Sequence, residues 1–461
     1  MSELDKILKD ADGHLDESLE RLFEVLRIPS ISTDHAFAAD CRRAAEWLSA
    51  DLAASGFDSS VRETEGHPAV VAHDLKSEGA HVLFYGHYDV QPVDPLDLWV
   101  TPPFEPAVVL GPHGDKRIVG RGTSDDKGQV MTFLEACRAF RRVRGSLPLK
   151  VSIFLEGEEE SGSRSLPAFL DTVRSELKAD IALVCDTDMW DPQTPAIVTM
   201  LRGLVADEFE IRAANKDLHS GMYGSAARNP IQVISEIIAS LRADDGSVAV
   251  AGFYDDVKEV APDVATRWKT LGFSEKEFLG SVGLSLPAGE RKRSALEQTW
   301  SRPTCEINGI WGGYIGEGAK TVIPSKARAK VTFRLVADMD PDKVREAFRA
   351  HVRARVPADC AVTFYGGSST PAVAVPSDGP WVRKAMDALK GEWGRDTVLI
   401  GSGGSIPVVT EFKKRLGLDT LLIGFAGHDD QVHSPNEKYD LKSFQGGIRS
   451  WIRVLDALAR P

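Results

Sequence analysis

HVLFYGHYDV, residues 81–90, opens on a short apolar run and ends in a histidine and an aspartate just past Gly86. An apolar run of this length, bounded by turn residues, has the character of a buried strand. VSIFL (151–155) and IALVC (181–185) repeat it, and TVLIG (397–401) and TLLIG (420–424) return to it near the C-terminus. Between the first two lies KGQVMTFLEACRAFRRV (127–143), in which Val130, Phe133, Leu134, Cys137 and Phe140 recur at helical spacing. Residues 15–27 (LDESLERLFEVLR) and the stretch from Asp40 to Ala54 read as two further amphipathic helices. Apolar strands alternating with such helices predict an α/β fold whose mixed, mostly parallel sheet is flanked by helices. The apolar stripes themselves are core.

The pattern changes after Arg202. Phe209 and Ile211 alternate with Glu208, Glu210 and Arg212, which predicts a strand with one wet face. KARAKVTFRLV (326–336) alternates more cleanly, with Ala327, Ala329, Val331, Phe333 and Leu335 on one side and lysines, arginines and Thr332 on the other. With a helix such as NPIQVISEIIASL (229–241), this suits a smaller α+β domain. The predicted organisation is a catalytic domain in two parts, 1–203 and 373–461, interrupted by an insert at 204–372.

At 461 residues the chain exceeds one ordinary core. A formal charge of -13 would repel a phosphate backbone, so nucleic acid is not an expected partner. No run approaches the ~20 apolar residues that span a bilayer, and no membrane association is expected. Five scattered cysteines without a CxxC pair fit a reducing compartment, and the charged N-terminal residues do not resemble a signal peptide. The expectation is cytoplasmic.

Chemistry-bearing residues cluster after the predicted strands. In GHYDV, His87 and Asp89 stand two apart, so in extended chain they share a face and Asp89 can take the second N–H of the imidazole. GRGTSDDKGQ puts Asp125 and Asp126 in a glycine-rich loop before a helix, where an aspartate is either an N-cap or a ligand in the crevice beyond the strand ends. It matches neither nucleotide-binding fingerprint. LEGEEESGS crowds Glu156, Glu158, Glu159 and Glu160 beyond VSIFL; such a run is a solvated face unless a cation compensates it. VCDTD supplies Asp186 or Asp188, and GHDDQVHSPNE supplies His428 and His433. Four strand ends thus carry imidazole and carboxylate, a donor set suited to zinc, cobalt or manganese.

Taken together, GHYDVQP, GRGTSDDKG, EGEEESGS, DLHSGMYGS, KTVIPSKA and HSPNEK resemble, in order and over nearly the whole chain, the motifs of the two-metal peptidase family of carnosine dipeptidases, carboxypeptidase G, aminoacylase and succinyl-diaminopimelate desuccinylase. The resemblance implies two divalent ions per chain, zinc first. Asp125 would bridge them, with His87 and Asp186 on one ion and Glu160 and His433 on the other. Asp89 would orient His87, Glu159 would be the general base, and the Asp125–Asp126 peptide would be cis. His219 would reach the substrate carbonyl from a partner subunit, which makes the chain a homodimer through a 204–372 lid and dimerisation domain. Thr321, Arg334 and Ser405 would hold the terminal carboxylate of a dipeptide or short peptide. Three consecutive glutamates leave the register of base and ligand to the following SGS, and Asp188 competes with Asp186. The chain departs from the family's dipeptidases at 366–371, where it lacks their histidine. An aspartate at 186 goes with the dipeptidase branch. N-acyl amino-acid deacylase or carboxypeptidase activity is the alternative, and a non-catalytic metal-binding scaffold a remote one.

Overall fold

A computed structural model describes residues 1–460. The chain divides into two compact units, one formed by Met1–Thr199, Val375–Ile400 and Pro407–Pro461, the other by Met200–Ala374 with Gly401–Ile406.

In the first unit a mixed sheet runs in the order Asp58–Arg62, Ala69–Asp74, Lys150–Glu156, His81–His87, Ile181–Val184, Thr420–Leu422, Ala196–Leu201. Its parallel part is the four central strands; the outer pairings are antiparallel. Phe84 and Tyr85 show why both faces must be covered, because consecutive side chains on a strand point opposite ways. Phe84 stacks on Phe133 of the helix Lys127–Arg144 with ring centroids 3.8 Å apart, and Trp451 of the helix Leu441–Ala459 meets both rings edge-on. Tyr85 instead packs with Phe154 and Phe412. All of these rings are 0–1% exposed, so truncating Phe84 to alanine would cost about 3–5 kcal/mol. A helix that periodicity did not announce, Glu3–Gly13, precedes the others; Ser2 and Asp5 close a capping box at its start.

The register aligns the carboxyl ends of the parallel strands. His87 lies opposite Glu156, Tyr85 opposite Val184, and Leu422 opposite Val184. Whatever follows these strands is delivered to one edge of the sheet, the ligand-binding edge of open α/β folds. Gly86 permits a close approach there: a Cβ would stand 2.4 Å from Val130 and 2.7 Å from the Asp126 carboxylate.

The second unit has an antiparallel sheet ordered Thr304–Gly312, Lys326–Leu335, Gly203–Arg212, Ala361–Phe364. Ala327, Ala329, Val331, Phe333 and Leu335 are buried against helices Pro230–Ala239 and Pro341–Arg353, through Val233, Ile234 and Phe348 among others. The opposite face is drier than alternation suggests. Glu210 is only 4% exposed, because Arg328 and Lys326 of the neighbouring strand lie across its carboxylate. Among the described residues no helix is long and apolar enough to cross a membrane.

Candidate metal centre

Three loops that leave the parallel strands, with the loop opening the Lys127–Arg144 helix, bring five side chains together. His87, the last residue of its strand, is fully buried. Its Nε2 lies 3.0 Å from Asp125 Oδ1 and 3.9 Å from Asp186 Oδ2. The other oxygen of Asp125, Oδ2, lies 2.9 Å from His433 Nε2, which is also 3.2 Å from Glu160 Oε2. The donors fall into two triads, His87–Asp125–Asp186 and Asp125–Glu160–His433, each with its ligand atoms within 4.8 Å of one another. Zinc–donor distances of about 2.0–2.2 Å place neighbouring donors of a tetrahedral site about 3.3 Å apart, so both triads fit a divalent ion.

The surrounding residues hold these donors in place. Asp89 faces the His87 ring, with its backbone oxygen 3.1 Å and Oδ1 3.4 Å from Nδ1, and its carboxylate accepts the N–H groups of Glu159 and Glu160. It therefore fixes the imidazole and the glutamate turn at once. Asp126 turns inward and accepts the backbone N–H of His87 at 3.2 Å; the Asp125–Asp126 peptide is cis. Gln91 donates to Glu160 at 2.7 Å. The three glutamates separate by environment. Glu158 accepts the N–H groups of His67 and Ser165, so its charge is spent on backbone. Glu159 is half-buried and belongs to neither triad, and Glu160 belongs to one. Asp188 belongs to neither triad.

Glu437 escaped the sequence reading of roles. Fully buried, it accepts from Arg121 and from the N–H groups of Gly122, Ser124 and Asp125, and so shapes the loop that presents Asp125. HSPNEK was legible as a motif, but its glutamate stands four residues past His433 with nothing in the local pattern to distinguish support from ligation.

In the second unit, Arg334 donates to Ser405 Oγ at 3.2 Å, and that hydroxyl donates to the carbonyl of Arg202. His219 and Thr321 are exposed; His219 pairs with Val322 in a two-strand ribbon, and the Thr321 carbonyl just before that strand accepts the N–H of Ser220.

As bare side chains the centre is electrostatically unsettled. Burial and the neighbouring Asp125 push the Asp186 carboxyl up to about 7. Burial, with Asp186 and Glu160 close by, lifts Glu159 well above the carboxylate range. His433 is raised to about 10 by its hydrogen bonds to Asp125 and Glu160. Protons here do the work a cation would do. In a chain stripped of metal, Asp186 and His433 keep protons in the folded state that the unfolded state releases. Stability is then fullest below their unfolded pKa values and is lost as pH rises through about 7 and about 10. Thermal melts after chelation are expected to fall from about pH 5 to about pH 9, while metal-loaded protein changes less and the gap widens. A melting temperature that rises with pH after chelation would contradict this account.

Residues 83–457 match the family model described as Peptidase family M20/M25/M40. The Cys-Gly metallodipeptidase dug1 of Schizosaccharomyces pombe is 28% identical over 483 residues, covering 99% of this chain and 98% of that protein. The crystal structure of human carnosine dipeptidase 1 superposes with a TM-score of 0.85 at 25% identity, covering 100% of this chain and 99% of that one. The M20 family metallo-carboxypeptidase Sso-CP2 from Sulfolobus solfataricus gives a TM-score of 0.83 at 30% identity, over 96% and 99% of the two chains.

Proposed function

The chain belongs to peptidase family M20/M25/M40, and from that premise we propose that it is a two-metal dipeptidase, hydrolysing dipeptides or short peptides that carry a free C-terminal carboxylate. The observation that supports this reading most is Asp125, whose two carboxylate oxygens each face a different imidazole, with a further carboxylate beside each. A carboxylate so shared would serve both ions of a dinuclear site. His87 and Asp186 would complete one ion site, Glu160 and His433 the other. Zinc suits the donors best, with manganese or cobalt as substitutes.

Bound divalent ions would supply Lewis acidity and a water acidified far below its ordinary pKa, toward about 7. The protein does the rest. Glu159, raised by burial, takes the proton of the attacking water and returns it to the leaving amine. Asp89 keeps His87 in one orientation. His219, from a partner subunit, donates to the developing oxyanion. Arg334 grips the terminal carboxylate through its planar fork, with Ser405 hydrogen-bonded to it, and Thr321 is a further residue assigned to holding that carboxylate.

A second copy of the chain is supported by the edge strand Thr304–Gly312, which pairs on one side only and exposes Ile307 (38%), Ile310 (49%) and Trp311 (42%). An open apolar edge of this kind is a template for another strand. The Met200–Ala374 unit would then serve as lid and dimerisation domain. All five cysteines are unpaired, which suits the cytoplasm.

A substrate panel tests the reading. Metal-loaded protein is expected to hydrolyse free dipeptides, and N-acetyl amino acids at least about tenfold more slowly. Hydrolysis of N-acetyl amino acids but not dipeptides would reverse the assignment to a deacylase. Stepwise loss of C-terminal residues from longer peptides would move it toward the carboxypeptidase activity named for the Sulfolobus relative.

A further inference from the structure

The second unit holds a cavity of about 500 Å³, in the range of small-ligand sites, lined by Arg202, Arg242, Arg302 and Arg334 with Glu290 and Glu306. The four arginines are not equivalent. Arg302 is spent on structure: its Nε and Nη2 lie 3.0 Å from the Glu290 carboxylate, and its guanidinium sits 5.3 Å from the Tyr254 ring. Arg242 donates to the Ala288 carbonyl and lies 3.9 Å from Glu306.

Arg202 and Arg334 have no such partners. Among the described residues neither has a carboxylate within ion-pair distance. Arg202 donates only to the main-chain carbonyls of Gly403 (3.3 Å) and Gln298 (3.4 Å), both long. Arg334 donates only to Ser405. Each guanidinium has five N–H groups, so most donors of both forks face no acceptor. Burial depresses both groups, Arg202 to about 10, and the charge of Arg334 adds to the effect on Arg202. Two half-buried cations that line one cavity repel, and an arrangement of this kind is completed by anions.

One terminal carboxylate satisfies one fork. We propose that Arg202 receives a second carboxylate, on the side chain of the substrate's C-terminal residue, so that the chain prefers dipeptides ending in aspartate or glutamate. This rests on the dipeptidase reading, which assigns Arg334 to the α-carboxylate. The cavity gives such a side chain room that a C-terminal glycine would not use.

Ala-Gly, Ala-Gln and Ala-Glu, assayed with metal-loaded protein, separate the two claims. Glutamate and glutamine differ little in size, so their ratio reports charge recognition. A charge-assisted fork is expected to favour Ala-Glu over Ala-Gln by about tenfold in kcat/KM, chiefly through KM. Arg202→Leu should bring that ratio to about one, and Arg202→Lys should retain part of it, as a point charge without the fork. Ala-Gly cleavage with equal rates for Ala-Glu and Ala-Gln would overturn the inference and leave the dipeptidase reading standing. An unchanged ratio in folded Arg202→Leu would overturn it as well. Failure to cleave any dipeptide would remove both.

Discussion

Glu159→Gln is expected to lower kcat by about 10²–10⁴ while the protein keeps its full complement of metal. Glutamine has nearly the same shape and cannot accept the water's proton. Glu159 lies outside both triads, so its loss should leave the donors intact. Glu160→Gln should behave differently: it removes a charged donor from the Asp125–Glu160–His433 triad, so metal content drops and activity returns in part when metal is added in excess. Glu158→Gln should leave turnover nearly unchanged. Its carboxylate serves the backbone of His67 and Ser165, and losing one charged acceptor costs about 1–2 kcal/mol of stability. The three variants are read by kcat and by elemental analysis of the purified protein. Loss of metal in Glu159→Gln, or loss of turnover confined to Glu158→Gln, would show the assignment of base and ligand to be misplaced.

These neighbouring glutamates also mark where sequence stops being informative. The strands were legible because each is apolar on both faces, and the helix after Asp126 because its stripe has one period; the structure has them at His81–His87, Lys150–Glu156 and Lys127–Arg144. That acids and imidazoles should meet at the strand ends follows from parallel pairing alone. Which acid does what does not follow, because three glutamates in a row differ only in the turn that carries them. The short turn Glu159–Ser161, with Asp89 bound to its N–H groups, sends Glu158 toward backbone and Glu160 toward His433. Asp89 was legible as a partner for His87, but not as the anchor of this turn, since the two segments stand 70 residues apart. Glu437 was hidden for the same reason: its four donors all lie more than 300 residues away. The burial of Glu210 was equally invisible in its own strand, because the arginine that covers it comes from the next one.

Two inactive chains mixed together are expected to recover activity. The tautomer of His219 decides what its ring can donate. Its Nδ1 lies 3.0 Å from the Gly221 nitrogen and accepts a hydrogen bond from that N–H, so the neutral ring carries its own hydrogen on Nε2. The exposed imidazole is thereby prepared as a donor, which is what an oxyanion needs. His219→Ala should cost about 10²–10³ in turnover without changing metal content. If the donor belongs to the partner's active site, its lesion and that of Glu159→Gln fall on different sites of a mixed dimer. One site then has glutamine in place of the base and alanine in place of the donor, while the other has Glu159 and His219 both intact. With random exchange in a symmetric dimer, about half the dimers are mixed and about a quarter of all sites are whole. The recovered rate should therefore approach about a quarter of the wild-type value at equal mixing, and it should fall as either chain is put in excess. If His219 instead serves its own chain, every site in every combination carries a lesion. No ratio of the two variants would then exceed the activity of the better one alone, and donation across subunits would have to be abandoned.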